Sequence, residues 1–348
     1  MSLSDPPVPL LSVLMPTHNA AVFVAAAIGS LLAQTFTDFE LIVVDDGSTD
    51  TTLDVLAAID DPRLTVIASP DNLGPVHARN RAFAGARGRY IAALDADDLC
   101  RPERLARQVA YLDRHPDVVL VATAASILQD GELRFDPMVR HTSPALIDWL
   151  MLTRNPLVWS SAMFRAEAAR RLSPFTRPER RYAEDFDLYH RLRPFGAIAR
   201  IDEDLVTYRE HPGGMSKRHT DIMIGNAADT LAEVYAPIFG AGAERNAALM
   251  MRHAGLCDPV RDAGLLADLS AMLGTLHEYF LATRHLTQTE RRAVDRACSG
   301  LWSRFAREAL ASGAMGLSQA LRLAPAGFRW RHGKPLHLLC ARLFPDPA

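Results

Sequence analysis

An α/β fold on a mostly parallel sheet, followed by a helical C-terminal region, is what this sequence predicts, and three observations predict it. Over the first hundred residues, short apolar runs alternate with helical patterns, which winds a parallel sheet with helices on its faces. Two of those runs empty directly into acids: residues 39–44 into Asp45-Asp46-Gly47-Ser48-Thr49-Asp50, and residues 90–94 into Asp95-Ala96-Asp97-Asp98. From about Asp221 onward the text turns helical and alanine-rich.

Taken in order, residues 10–15 are a compact apolar run stopping at Pro16-Thr17-His18-Asn19, a buried first strand that ends in a polar loop. Residues 20–32 carry a helical apolar pattern, and 39–44 form the second strand, with Ser48 or Thr49 as cap of the next helix. A third strand follows at 63–68, a helix at 75–86 and the fourth strand at 90–94. Beyond it lie a helix at 101–115 and strands at 118–125 and 132–135 around a turn at 129–131. Strict alternation then lapses. Helices are expected at 144–153, 166–172 and 182–192, strands at 159–164, 198–201 and 205–208, and a loop at Arg209-Glu210-His211-Pro212-Gly213-Gly214. Thr287 to Glu290 spells a capping box. The expected boundary falls near residue 220, giving a first domain over 1–220, divided near residue 100, and a helical region over 221–348.

With 348 residues, 49% of them hydrophobic, the chain has ample material for one large domain and a smaller one. A net charge of -3 argues against nucleic acid as a partner, which would call for a basic excess. The four cysteines include no CxxC pair, so neither a zinc cage nor a disulfide framework is suggested, and a reducing cytoplasm fits. No secretory signal is read at the polar, proline-rich N-terminus.

Acids at the carboxyl end of a strand sit where open α/β sheets bind ligands. Crowded together, they ask for a hard divalent cation such as Mg²⁺ or Mn²⁺. Taken singly, each cluster reads as well as a turn and helix cap, and Asp98 suits the cap of the helix that follows. Repetition at two strands of one sheet shifts the reading toward a site. No GxGxxG follows the first strand, which excludes the dinucleotide and P-loop readings.

Six motifs in order then resemble the inverting family-2 glycosyltransferases of the GT-A fold: Pro16-Thr17-His18-Asn19; Asp45 to Asp50; Asn72-Leu73-Gly74 with Ala78-Arg79-Asn80; Asp95-Ala96-Asp97-Asp98; Glu184-Asp185; and Tyr208-Arg209-Glu210-His211 with Gly214 and Ser216. The resemblance spans roughly residues 10–218 and leaves out the C-terminal third. It implies a nucleotide-binding half over 1–100 and a metal and acceptor half over 101–220. It also implies a hexosyltransferase using a nucleotide-sugar donor, a UDP-sugar first among them, with a saccharide or lipid-linked acceptor in cell-surface polysaccharide or lipopolysaccharide assembly.

Residue by residue, the resemblance puts Pro16, Thr17 and Asp45 at the base and ribose, Arg79 at the diphosphate and Asp95 toward the ribose, with Asn19, Asp46 and Ala96 also on the nucleotide-sugar. Asp97, the last acid of the DxD motif, joins His211 on Mn²⁺ or Mg²⁺. Asp185 matches the family's base, with Trp159 and Glu184 on the acceptor side. Read without the resemblance, Glu184 and Asp185 would only offset a helix dipole, and Trp159 would be core. Other expectations for the same acids are a sugar-phosphate nucleotidyltransferase and a non-catalytic glycan-binding module. From Leu301 onward seven basic residues (Arg304, Arg307, Arg322, Arg329, Arg331, Lys334 and Arg342) face two acidic ones. That excess, interleaved with Phe328, Trp330 and Phe344, reads as a peripheral contact with the inner face of a membrane, or as a solvated face or oligomer contact.

Overall fold

The computed structural model describes residues 8–135 and 142–325. These divide into two units, one of residues 1–144 and 156–223 and one of residues 145–155 and 224–348. The first is built on a nine-stranded mixed sheet: β1 (Leu11–Thr17), β2 (Phe39–Asp46), β3 (Leu64–Ser69), β4 (Tyr90–Ala93), β5 (Leu99–Cys100), β6 (Val118–Gln129), β7 (Glu132–Phe135), β8 (Met163–Arg165) and β9 (Ala197–Glu210). Its order is β3-β2-β1-β4-β8-β6-β9-β5, with β7 paired to β6. The first four strands are parallel. β8 then runs antiparallel to both β4 and β6, β5 runs antiparallel to β9, and β6 returns parallel to β9.

Every residue of β1 is buried, which is why its sequence is a continuous apolar run rather than an alternating one. The chain winds from β1 outward through β2 to β3, then crosses back to lay β4 on the other side of β1. That reversal is a topological switch point, where the carboxyl ends of neighbouring strands diverge and leave a crevice. Pro16 lies past Leu14, the last β1 residue paired with β4, so its missing N–H costs that ladder nothing. Gly88 makes the close approach possible: a Cβ there would stand 2.6 Å from the Ser12 nitrogen.

The helices of this unit are α1 (Val24–Leu32), α2 (Thr52–Ala57), α3 (Pro75–Gly85) and α4 (Arg104–Arg114) in the first half. After α5 (Pro144–Leu150), whose body packs in the other unit, come α6 (Ala166–Arg170), α7 (Glu184–Leu192) and α8 (Met215–Arg218). Their apolar faces close a core with the strands, in which Leu11, Val13, Ile28, Leu41, Leu105 and Met163 are fully buried.

Several local expectations are corrected. Ser48 and Thr49 do not cap α2; Asp50 does the work, its carboxylate accepting from the Thr52 amide at 2.9 Å. Residues 159–161 form a 3-10 turn, and only 163–165 are extended. The two short strands expected at 198–201 and 205–208 are one strand, whose register against β6 shifts around Thr123 and Ala124, opposite Ile201 and Asp204. There the polar run Asp202-Glu203-Asp204 interrupts the apolar pattern, so the irregularity absorbs what the sequence shows as a break.

The second unit is helical: α9 (Thr220–Phe239), α10 (Ala243–Met250), α11 (Ala263–Thr283), α12 (Gln288–Ala311) and α13 (Leu317–Arg322). Trp149 of α5 meets the rings of His277 and Phe280 edge-on, and the Tyr235 hydroxyl donates to the Leu152 carbonyl. The capping box at Thr287 and Glu290 forms as expected. The free thiol of Cys298 is pushed up to about 12 by burial and by Asp295, which makes it a core group rather than a nucleophile. Arg304 is engaged by Glu308 and by the His253 carbonyl, while Phe328, Arg329, Trp330, Arg331, Lys334, Arg342 and Phe344 of the expected membrane contact lie outside the described residues. Among the described residues no helix is long and apolar enough to cross a membrane.

Candidate active site

The carboxyl ends of β1, β2 and β4 bring the sequence motifs together. Thr17 stands opposite Asp45 in the β1–β2 register. Asp45 is fully buried; its carboxylate accepts from the Ser48 amide at 3.0 Å and the Ser48 hydroxyl at 2.5 Å. Its neighbour Asp46 points the other way and accepts from the amides of Leu73 and Gly74 at 2.9 and 2.7 Å. Asp46 therefore anchors the 72–74 loop, which explains why the Asn72-Leu73-Gly74 motif follows at that distance. Asn19, at φ +50°, accepts from the amides of Thr49 and Asp50. His18 is bracketed by the Asp46 carbonyl at 2.9 Å and the Asn72 amide group at 3.0 Å. Pro16 and Thr17 complete this rim, and the buried Thr17 hydroxyl makes no hydrogen bond among the described residues.

Gly47 sits where these loops touch. Its φ is +68°, and a Cβ would stand 2.7 Å from the Asp71 carbonyl carbon, so both conformation and space require glycine. Gly47→Ala is expected to part the 46–48 turn from the 71–74 loop and to destabilise the fold by roughly 1–3 kcal/mol; a lowered melting temperature measures it.

The β4 cluster is pinned from three sides. The Asp95 amide donates to the Ser160 hydroxyl at 3.0 Å, the Asp98 carboxylate accepts from the Arg209 amide at 2.8 Å, and the Arg209 side chain donates to the Asp97 carbonyl at 2.9 Å. Asp98 is thus no helix cap, contrary to the expectation; α4 begins at Arg104 without a side-chain cap, and Asp98 instead ties the cluster to the end of β9. Burial pushes the Asp98 carboxyl well above its usual range, and the charges of Asp97 and Asp95 add to this, while the Ser160 and Arg209 hydrogen bonds work against it.

Asp97 is left partly exposed, with Oδ2 at 3.1 Å from Nε2 of His211. A carboxylate oxygen and an imidazole nitrogen facing one another are donors of the kind Mn²⁺ accepts. Among the described residues no set of three or more His, Cys, Asp or Glu side chains surrounds one point. The pair fits an ion that draws its other ligands from phosphate and water oxygens, as Mg²⁺ commonly does.

Arg79, from α3, links this cluster to α7. It is buried, donates to Asp95 at 3.1 Å and to Glu184, and lies 4.6 Å from the centre of the Trp159 ring. Burial alone would lower its pKa; Asp95, Glu184 and Asp185 more than reverse that and hold the guanidinium charged. Asp185 accepts from the amide of Phe186 at 2.7 Å at the start of α7. Asp95 is held above its usual range by burial, with Arg79 opposing and Asp97 and Glu184 adding. Ala96 is buried within the turn.

Ser160, beside Trp159, accepts from the Asp95 amide and so fixes it. One functional candidate was missed in the sequence. Tyr189, which the helical period places in the core, has a fully buried hydroxyl whose surroundings include Asp185, Arg79, Asp95 and Glu184. A phenol four residues after a candidate base on one helix was the available signal.

The mixed sheet, with acids, an arginine and a histidine gathered at its switch point, has the GT-A architecture. The S. aureus TarS 1–349 structure in complex with UDP has that fold and matches with a TM-score of 0.54 at 18% identity, over 86% of this chain and 90% of that one. The glycosyl transferase family 2 profile matches residues 12–173. EpsE of Bacillus subtilis, which bears a glycosyltransferase name, is 32% identical over 63% of this chain and 80% of its own length. The chain belongs to glycosyl transferase family 2. The succinoglycan biosynthesis protein ExoO of Rhizobium meliloti is 36% identical over 57% of this chain, which spans only 54% of the ExoO length.

Proposed function

We propose that the protein is an inverting glycosyltransferase moving a sugar from a nucleotide-sugar to a hydroxyl of a saccharide or lipid-linked acceptor. The observation that carries the reading is the Arg79 bridge, which ties the acids at the end of β4 to the first turn of α7 and so sets a donor site beside a general base. Pro16, Thr17 and Asp45 line the base and ribose side with Asn19 next to them, Asp46 supports them by bracing the 72–74 loop rather than by touching the ligand, and Asp95, followed by Ala96, lies toward the ribose. Arg79 meets the diphosphate. Asp97 and His211 would hold Mn²⁺ or Mg²⁺, which when bound neutralises the diphosphate and acts as a Lewis acid on the leaving group.

Asp185 removes the proton of the acceptor hydroxyl as its oxygen attacks the anomeric carbon, and the bond from that carbon to the diphosphate oxygen breaks on the opposite face. One base without a second nucleophile gives inversion. Trp159 and Glu184 lie on the acceptor side, with Glu184 held by Arg79. The UDP complex of TarS favours a UDP-sugar, and the name of ExoO favours polysaccharide assembly. The setting we infer is the cytoplasm, at the inner face of the membrane when the acceptor is lipid-linked.

A thermal-shift panel of UDP, GDP and dTDP, each with and without Mn²⁺ or Mg²⁺, tests the reading. One diphosphate is expected to stabilise the protein by about 2.7 kcal/mol at a hundredfold excess over its Kd, more with the metal. Asp97→Asn and His211→Ala should each remove the metal-dependent part alone. No shift with any diphosphate, and no sugar transfer from any matching donor, would sink the proposal.

A further inference from the structure

The Tyr189 hydroxyl poses a specific question. The side chain is fully buried, and its oxygen makes no hydrogen bond among the described residues. A buried hydroxyl without a partner costs roughly 1–3 kcal/mol, and phenylalanine would fill the same space without that cost. Tyr189 lies four residues beyond Asp185 on α7, hence on the same face, and a helical tyrosine leans back toward the helix N-terminus. Its hydroxyl is thereby directed at the turn that carries Glu184 and Asp185.

That turn holds a second group in the same condition. Glu184 is buried; Oε1 is taken by Arg79, while Oε2 makes no hydrogen bond among the described residues. An unpartnered donor and an unpartnered acceptor thus belong to one charged cluster, since Arg79, Asp95 and Glu184 all act on the Tyr189 hydroxyl. Burial holds the phenol well above its usual range, with Asp185, Asp95 and Glu184 adding to the effect and Arg79 opposing it, so Tyr189 enters only as a neutral donor.

Arg79 is shared between Glu184 and Asp95. A diphosphate arriving at Arg79 competes for the same guanidinium, and Glu184 then needs another donor, because a buried carboxylate is costly without one. We propose that Tyr189 is a positioning residue whose hydroxyl donates to Oε2 of Glu184 when a bound donor draws Arg79 toward its diphosphate, so that the first turn of α7 keeps Asp185 aimed at the acceptor. The proposal rests on the glycosyltransferase reading, with Asp185 as base and Arg79 at the diphosphate. Hydrogen bonds that matter in turnover are often unformed in the unliganded state and tighten with substrate bound.

The test is steady-state transfer by wild type, Tyr189→Phe, Glu184→Gln, the double variant and Asp185→Asn, with melting temperatures of each. Tyr189→Phe is expected to melt no lower than wild type, to keep the donor KM and nucleotide-induced shift, and to lose kcat by about tenfold to a hundredfold, the loss of one hydrogen bond to a charged group. The double variant should be no slower than Glu184→Gln alone, since both changes remove one interaction. Wild-type kcat in Tyr189→Phe overturns the proposal. So does a lowered melting temperature with kcat unchanged, which marks a structural hydroxyl, or losses that simply add in the double variant. A wild type that transfers nothing, or an Asp185→Asn that transfers normally, overturns the underlying reading and the proposal with it, whereas those two controls behaving as expected confine any failure to Tyr189.

Discussion

Asp185→Asn is expected to cut sugar transfer by about 10²- to 10⁴-fold, the range for loss of a general base, while nucleotide binding stays near wild type. Asparagine keeps the shape and can still accept from the Phe186 amide, as Asp185 does at 2.7 Å, so α7 should begin as before. What it lacks is a site for the acceptor proton. Initial rates of nucleoside diphosphate release with acceptor present, set beside the thermal shift by the same diphosphate, separate the two effects. Full-rate transfer by Asp185→Asn would place the base elsewhere.

Arg79→Met should bring the largest loss of stability. The Arg79 side chain is 6% exposed and that of Glu184 2%, so removing the cation strands a buried carboxylate. Breaking such a pair from one side costs roughly 3–5 kcal/mol, far more than a surface pair is worth. The Met variant should also lose donor affinity. Adding Glu184→Gln to Arg79→Met should recover much of the stability and none of the affinity, because the stranded charge disappears while the diphosphate still lacks its arginine. Urea denaturation of the single and double variants decides it. A double variant no more stable than Arg79→Met would mean that the cost is lost packing against Trp159 rather than an unpaired charge.

Some features were legible because their causes are local. An apolar run that breaks into Asp, Gly, Ser and Thr ends a strand wherever it occurs, and β1, β2 and β4 end where their sequences change character. The capping box at Thr287 is equally local. The second half of the sheet was less legible: β8, β6 and β9 are apolar runs whose direction depends on neighbours far away in sequence, and 159–161 turns where composition alone suggested a strand. α5 reads as one more helix of the first 220 residues, yet Trp149 packs with His277 and Phe280. Apolar side chains record that they are buried, not against what.

The acids make the same distinction more sharply. Asp45 and Asp46 are adjacent and identical in type, but one is closed off by Ser48 and the other anchors the loop at Leu73 and Gly74. Asp98 has the look of a cap and serves as a brace for Arg209. By itself the sequence determined which residues reach the carboxyl edge of the sheet, because strand period and turn chemistry are settled within a few neighbours. Only the tertiary structure decided which of them face one another. Arg79 meets Asp95 across 16 positions and Glu184 across 105, and those meetings exist because β4 returns beside β1 and α7 lands over its end.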